Sequence, residues 1–380
     1  MNGSVRKKGD QWYFSFELAK VGGKRRRVER AGGRTKKEAQ AKMREVMAEY
    51  EKAGQLFDES EISVSDYMDY WIDNYVRTNL KYNSLTYYQG IIKNHIKPKF
   101  GHYKLSTITP ATIQTFINGK FIEGYSKNSL TNMMGLLSKA FKMAVHPYGF
   151  IKQDPTRFVT VPKMDQKPKD GEDLKIIAMK DYRKILERFP RGSTFYVPLE
   201  IAFGTGMRGG EVCALTWDNV NLSAKTIRVE KTMIMMEHGH WELGTPKTKN
   251  SYRTVQITEH LATVLKQAQR DQKENSLKYG QYYLQSNHVC TKENGEPVTT
   301  NSLKYLSRVV NYELMINFNF HSLRHTHASI LVASGANFKA IQERLGHSNL
   351  STTMDTYAHI SEDLKASTAD LLERLSKIVD

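Results

Sequence analysis

Three imidazoles and one guanidinium crowd the stretch HSLRHTHAS, residues 321–329. His321 and His325 stand four apart, the spacing that sets two metal ligands on one helix face. His321 and Arg324 stand three apart, a spacing that can instead grip one phosphate. A zinc hydrolase of the H-E-x-x-H kind needs a glutamate beside its first histidine as base, and that position is Ser322. A third ligand would have to be His327 or His347, and no acidic residues stand nearby to orient such a set. The sequence therefore predicts no metal. His325 and His327 read as packing histidines.

Further groups lie on both sides. ANFKAIQERLGHSN reads as a short helix ending at Leu345-Gly346, with His347 just past it. LSTTMDTYAHI starts another, with Ser351 as N-cap, and Tyr357 offers a phenol nucleophile ten residues after His347. Upstream, GTGMRGGEV sets Arg208 at a glycine-punctuated turn before a helix, with Glu211 one helical turn on. TGMRGGE, TPKTKNSYRTV, HSLRH, LGHSN and MDTYAH, in this order and spacing, resemble the tyrosine recombinase family of phage-type integrases. The resemblance implies a catalytic set of Arg208, Lys247, His321, Arg324, His347 and Tyr357, with Glu211 as an acidic helper that orients side chains. One departure is Gly209, where relatives often carry a bulkier residue; a looser turn is expected there, with no catalytic group lost.

The chemistry asks for these residue types. Attack on a DNA phosphodiester builds negative charge on phosphorus, and planar guanidinium forks hold non-bridging oxygens without losing charge. Arg208 and Arg324 fit that task. His321 and His347 would donate hydrogen bonds or move protons. A phenol of ordinary pKa, about 10, needs cationic neighbours or a base to attack. Tyr357 would form a 3′-phosphotyrosyl bond and release a 5′-hydroxyl. In the resembled family a lysine on a β-hairpin protonates that leaving oxygen; Lys247 fits, and Lys249, two residues on and on the same strand face, stays an alternative. The bond energy is kept in the phosphotyrosine, so no ATP is needed. No P-loop and no carboxylate cluster for two metals is present, and no cofactor is expected.

The elements that must position these groups fall into parts. Of 380 residues, 56 are Lys or Arg against 40 Asp or Glu, a formal charge of +16. With an isoelectric point near 9.5 this suggests a polyanionic partner, nucleic acid before membrane. Residues 1–56 hold 15 Lys and Arg against 7 Asp and Glu, so half the surplus lies in about a seventh of the chain. There QWYFSFELA alternates like a strand, VGGKRRRVER adds a Gly-Gly turn and a basic second strand, and AGGRTKK turns again. A helix then follows with Thr35 as N-cap and Glu38 completing a capping box. Arg6, Lys7, Lys24, Arg25, Arg26 and Arg27 are candidate DNA contacts of this module, with Lys249 a further one in the catalytic half.

Residues 60–161 read as four helices with stripes of Val64, Tyr67, Met68, Trp71 and Tyr75, and of Leu85, Tyr88, Ile91, Ile92 and Ile96. Thr109 and Pro110 open the third. Lys93, Lys97 and Lys99 are weaker DNA candidates. Residues 162–172, in VPKMDQKPKDGEDL, read as an extended linker. Residues 173–380 are mixed: YRKILERF is helical, KTIRVEKTM and YRTVQI alternate like strands, and helices return from Phe320. The expected fold class is thus multidomain: a small β-sheet-plus-helix arm-binding module, an all-α core-binding domain, and a mixed α+β catalytic domain with a C-terminal helix. That tail spaces Leu364, Leu371, Leu375 and Ile378 for packing on its own domain or on a neighbouring protomer.

Cys213 and Cys290 make neither a disulfide framework nor a thiolate zinc site. No apolar run is long enough to span a bilayer, and MNGSVRKKGDQWYF lacks the apolar core of a signal peptide, so a cytoplasmic protein is expected. The resemblance implies double-stranded DNA, at core and arm attachment sites, as partner. It also implies a homotetramer on DNA, an excision factor and a host DNA-bending protein, with integration and excision of a phage or mobile element as the role. Rivals are a Xer-like resolvase, a type IB topoisomerase-like enzyme, a non-catalytic DNA-binding regulator and a zinc hydrolase.

Overall fold

The computed structural model describes residues 3–21, 24–53, 61–163, 175–246 and 249–348. The chain divides into two units at Met164–Asp165.

The first unit opens with an antiparallel meander of β1 (Gly3–Lys8), β2 (Gln11–Val21) and β3 (Lys24–Gly33), in that order. β1 was not foreseen, because Arg6, Lys7 and Lys8 leave no apolar alternation to read. The turn expected at AGGRTKK comes later than predicted, since β3 continues through Gly32 and Gly33. α1 (Lys36–Ala53) packs so closely there that a Cβ on Gly32 would lie 2.5 Å from that of Ala39. Phe14 and Phe16 are buried against Met43, Val46 and Met47 of α1. The capping box forms as expected: Glu38 N–H donates to Thr35 Oγ1 at 3.2 Å, and Thr35 N–H to Glu38 Oε2 at 3.2 Å.

Residues 61–163 form the four expected helical rods. α2 (Val64–Trp71) passes through a π-helical turn, Ile72–Val76, into α3 (Arg77–Asn79). α4 (Tyr82–Ile91) does the same through Ile92–Ile96 into α5 (Lys97–Phe100). α6 (Pro110–Ile122) starts with Thr109 accepting from Thr112 N–H and Pro110 in its first turn, and α7 (Lys127–Val145) is capped by Ser126. Val64, Tyr67, Met68 and Trp71 are fully buried, with Ile91, Ile92 and Ile96 beside them. Burying each such side chain stabilises the rods by roughly 1.5–3 kcal/mol. Lys97 is held to Asp69 at 2.7 Å.

The second unit begins, among the described residues, with α8 (Met179–Arg188), α9 (Tyr196–Thr205) and the short α10 (Gly209–Cys213). Strands β4 (Val220–Asn221), β5 (Thr226–Val229) and β8 (Arg253–Gln256) make one antiparallel sheet. β6 (Thr232–Met235) and β7 (Trp241–Gly244) make a separate hairpin. KTIRVEKTM, read as one strand, is therefore two, split between sheets, and the four-residue β7 was missed. α11 (Glu259–Tyr279) and α12 (Thr300–Glu313) fill the stretch between YRTVQI and Phe320, for which no helix was expected. In α11 the buried positions, Leu261, Ala262, Leu265 and Ala268, occupy only the first half; the rest is charged and shows no period. α13 (Ser322–Ala333) and α14 (Phe338–Leu345) complete the described part. Cys213 and Cys290 are buried free thiols. The C-terminal segment with Leu364, Leu371, Leu375 and Ile378 lies outside the described residues, as does most of the expected linker.

Candidate active site

Two helix ends build the site. α14 stops at Gly346, whose left-handed backbone (φ 68°) suits glycine. Gly346 N–H donates to Glu343 O and His347 N–H to Gln342 O, both at 3.1 Å, the double bond of a Schellman turn. The Gln342 side chain returns a hydrogen bond to His347 O at 3.1 Å, so the His347 backbone is clasped from both sides. The next three carbonyls are each taken by a different arginine. Arg253 Nε donates to Arg344 O (2.7 Å), Arg324 Nη2 to Leu345 O (2.7 Å) and Arg208 Nη2 to Gly346 O (3.2 Å). Cations at a helix C-terminus satisfy its orphan carbonyls and complement its negative dipole end.

α9 also ends at a left-handed glycine, whose N–H donates to Ala202 O at 2.9 Å. Gly206 has φ 69°, and a Cβ there would lie 2.7 Å from Leu345 and 2.8 Å from His327. Its carbonyl accepts from Arg324 Nη1 at 2.8 Å, so one guanidinium ties α9 to α14. Arg344 Nη2 takes Gly204 O at 3.1 Å, and Phe203 O lies 2.8 Å from His327 Nδ1.

Arg208 sits just before α10, as GTGMRGGEV suggested. Glu211, 3% exposed, accepts Arg208 N–H at Oε2 and Arg208 Nη1 at Oε1, both at 2.9 Å. Burial would raise the Glu211 carboxyl, but hydrogen bonds and charges of Arg253 and Arg208 outweigh it and hold it below its ordinary value. Gly209 is not loose: a Cβ there would lie 3.2 Å from Leu303 and 3.3 Å from Phe320.

His321 precedes α13, and Arg324 and His325 follow within its first turn. The His321 and His325 rings meet edge to face with centroids 4.9 Å apart. Among the described residues no three His, Cys, Asp or Glu are grouped to hold a metal. Partial burial of its ring, then the charges of His325, Arg324 and Arg208, push His321 down to about 4, although the residue keeps access to solvent. Burial, then Arg324 and Arg208, push His347 to about 4 as well. Both imidazoles are therefore neutral at pH 7 and can each donate one N–H toward an anion. The structure thus brings Arg208, Glu211, His321, Arg324 and His347 together. Arg208 keeps 37% of its side chain exposed, while Arg324 is 2% exposed beneath it.

Tyr357 and Lys247 lie outside the described residues. Lys249 does not lie on a strand as expected: residues Lys249–Ser251 form a 3-10 turn before β8. Sequence reasoning missed Arg253, whose only local signal was its place at the head of YRTVQI. It also missed Arg344.

In the N-terminal sheet, strand alternation divides the basic candidates. Arg6, paired opposite Tyr13, shares the face away from α1 with Lys8, Ser15, Arg27 and Glu29. Arg6 and Lys8 both bind Glu29, at 2.8 and 2.7 Å, and Arg27 Nη2 donates to Ser4 and Ser15 hydroxyls. Lys7, opposite Trp12, is on the other face of the sheet. The run thus does not present one continuous basic edge. Lys24, Arg25 and Arg26 belong to β3; their side chains lie outside the described residues.

A basic module, a helical domain and a helix-rich domain that gathers arginines and neutral histidines at two helix ends define a class of protein that handles phosphodiesters. Comparison with known proteins narrows this. Residues 176–363 match the phage integrase family, 63–121 its N-terminal SAM-like domain and 4–50 an arm DNA-binding domain. A tyrosine recombinase XerC-like protein of Caldanaerobacter subterraneus subsp. tengcongensis is 30% identical over 358 residues, covering 90% of each chain. The ICEBs1 integrase of Bacillus subtilis is 29% identical, covering 76% of this chain and 78% of that one. The integrase of Staphylococcus phage L54a is 29% identical, covering 81% and 92%. The Tn1549 transposon integrase, solved in complex with transposon right end DNA, shares the fold at a TM-score of 0.65 and 22% identity, over 83% of this chain and all of that one. A lambda integrase tetramer bound to a Holliday junction does so at 0.56 and 18%, over 93% and 94%. The chain belongs to the tyrosine recombinase family, enzymes of DNA strand exchange. Among the described residues, no helix is long and apolar enough to cross a membrane.

Proposed function

We propose that this recombinase is an integrase that inserts and excises a phage or mobile element, acting on core and arm attachment sites in the bacterial cytoplasm. The observation that carries this reading is the convergence of Arg208, Arg324 and His347 at the ends of α9 and α14, with His321 beside Arg208 and Arg324 from the start of α13. The guanidiniums meet the charge that builds on a phosphodiester, and the neutral imidazoles donate to its oxygens. Tyr357, ten residues after His347, releases its phenol proton to water beside the site's cationic groups and attacks as the phenolate. Its Oη forms the new bond to phosphorus, the bond to O5′ breaks, and Lys247 gives that oxygen a proton. Attack by a 5′-hydroxyl reverses the steps, so no energy source is consumed.

Residues 60–161 and 173–380 clamp the core site, residues 162–172 link them, and residues 1–56 hold a separate arm site. Joining two binding modules raises effective concentration. Four copies assemble on the paired sites, with an excision factor and a host bending protein choosing direction. The basic module favours this reading over a Xer-like resolvase, which the first relative's name would otherwise suggest. The decisive experiment uses a nicked suicide substrate. Tyr357→Phe is expected to bind attachment-site DNA and form no covalent complex; a covalent complex with that variant refutes the assignment.

A further inference from the structure

Arg253 lies outside the set that sequence reasoning named, yet its guanidinium donates four described hydrogen bonds in the site. It is 6% exposed, and its guanidinium joins three parts of the site: the Glu211 carboxylate, the end of α14 and the turn before β8. Nη2 meets Glu211 Oε2 at 2.9 Å and Nη1 meets Oε1 at 3.3 Å, a two-pronged grip on the carboxylate that holds Arg208. Nε takes Arg344 O at 2.7 Å, three residues before His347. Nη1 also reaches Ser251 O at 3.1 Å, closing the turn Lys249–Ser251 on itself.

We propose that Arg253 is a positioning residue for strand cleavage, aligning Arg208 through Glu211 and His347 through the end of α14. Each link is a short chain of directional bonds. Arg253 presents both Glu211 oxygens to Arg208, whose backbone N–H and Nη1 then hold one arrangement. Arg253, Arg324 and Arg208 together occupy three successive carbonyls, so the backbone leading into His347 has no spare direction in which to tilt. Glu211 is faced by Arg208 from its own helix, by Arg253 from β8 and by His321 from the start of α13. With Arg253 gone, a buried carboxylate would depend on Arg208 alone and draw that fork away from DNA. A lysine offers a point charge in place of the planar fork and cannot reproduce these bonds together.

The inference rests on the cleavage reading of the site. Its test measures covalent protein–DNA complex formation in single turnover on a nicked suicide substrate from pH 6 to 9, with equilibrium binding of the same DNA alongside. The full-length wild type, Arg253→Lys, Arg253→Gln and the double variant Arg253→Gln/Glu211→Gln are compared. Both single variants are expected to bind within about threefold of wild type and to cleave about 10²-fold more slowly, the effect of a small misplacement at a reacting centre. Arg253→Gln should also show an ionisation in its rate profile that wild type lacks, and Glu211→Gln should abolish it. A purely structural role gives neither this ionisation nor a loss of rate at unchanged binding.

Cleavage by Arg253→Lys within about threefold of wild type overturns the proposal. So does a parallel loss of binding and cleavage in both single variants with no new ionisation. Should Arg253→Gln fail to fold, Arg253→Lys is judged by binding against rate alone. A wild-type chain that forms no covalent complex refutes the cleavage reading itself, and the inference with it.

Discussion

Arg344 and His327 share a hydrogen bond whose direction is fixed: the arginine Nε–H at 2.9 Å can only donate, so His327 Nε2 must accept. The other ring nitrogen, Nδ1, faces Phe203 O at 2.8 Å, which can only accept. His327 is therefore the neutral Nδ1–H tautomer, bridging the end of α9 to α14. It is a structural histidine, as the sequence suggested.

This bridge makes the fold sensitive to acid. Burial, then the Arg344 charge, pushes His327 down to about 4, against about 6.5 unfolded. The unfolded state then binds more protons between these values. The stabilisation is fully present above about pH 6.5 and is lost as pH falls through about 4, by roughly 2–3 kcal/mol for this group. Calorimetry of the full chain should show Tm falling across that window. His327→Gln, which can still accept from Arg344 and donate to Phe203 O, should lessen the fall; an unchanged slope rules out His327 as its source.

Gly346 should tolerate no side chain. Besides φ 68°, a Cβ there would lie 2.8 Å from Asn250 O and 3.2 Å from Arg253 Nη1. Left-handed backbone costs an L-residue about 1–2 kcal/mol, and the clash with a carbonyl adds to it. Gly346→Ala should therefore lower stability by at least that amount in denaturant titration and slow cleavage through His347. A variant as stable and active as wild type would show that the turn can relax freely.

Chelation should leave cleavage untouched. The charge that builds on phosphorus is met by fixed guanidiniums, the task a metal performs elsewhere. Covalent complex formation in EDTA should match the untreated rate within about twofold. A loss that added zinc or magnesium restores would revive the metal reading of His321 and His325.

Much of the site was legible because its spacing is local. His321 and Arg324 share the start of one helix, and Arg208 and Glu211 a single turn, so short motifs betray them. What escaped depends on distant partners. Arg253 meets Glu211 only once β8 is laid beside α10, and Arg344 reaches Gly204 O from 140 positions away. Elements hid for a different reason: half of β1 is basic and it holds one apolar side chain, Val5, β7 is four residues long, and the second half of α11 has no apolar face. None of these offers a period to detect.

Arg208 and Arg324, named alike by the sequence, occupy unequal places, and substitution should separate them. Arg324 is buried and satisfies two helix ends, at Gly206 O and Leu345 O. A lysine cannot reach both with one fork, and a buried carbonyl left unpaired costs about 1–3 kcal/mol. Arg324→Lys should thus lose thermal stability and cleavage together. Arg208 is 37% exposed, and its bond to Gly346 O is the longest of the three arginine–carbonyl bonds at that end, 3.2 Å. Arg208→Lys keeps a cation beside buried Glu211, so it should lose less stability than Arg324→Lys, bind DNA normally, and cleave 10²–10³-fold more slowly, roughly the loss of one fixed donor to a charged transition state. If the two variants lose stability equally, the exposed arginine is as much a part of the scaffold as the buried one, and the division of labour argued from their burial is wrong.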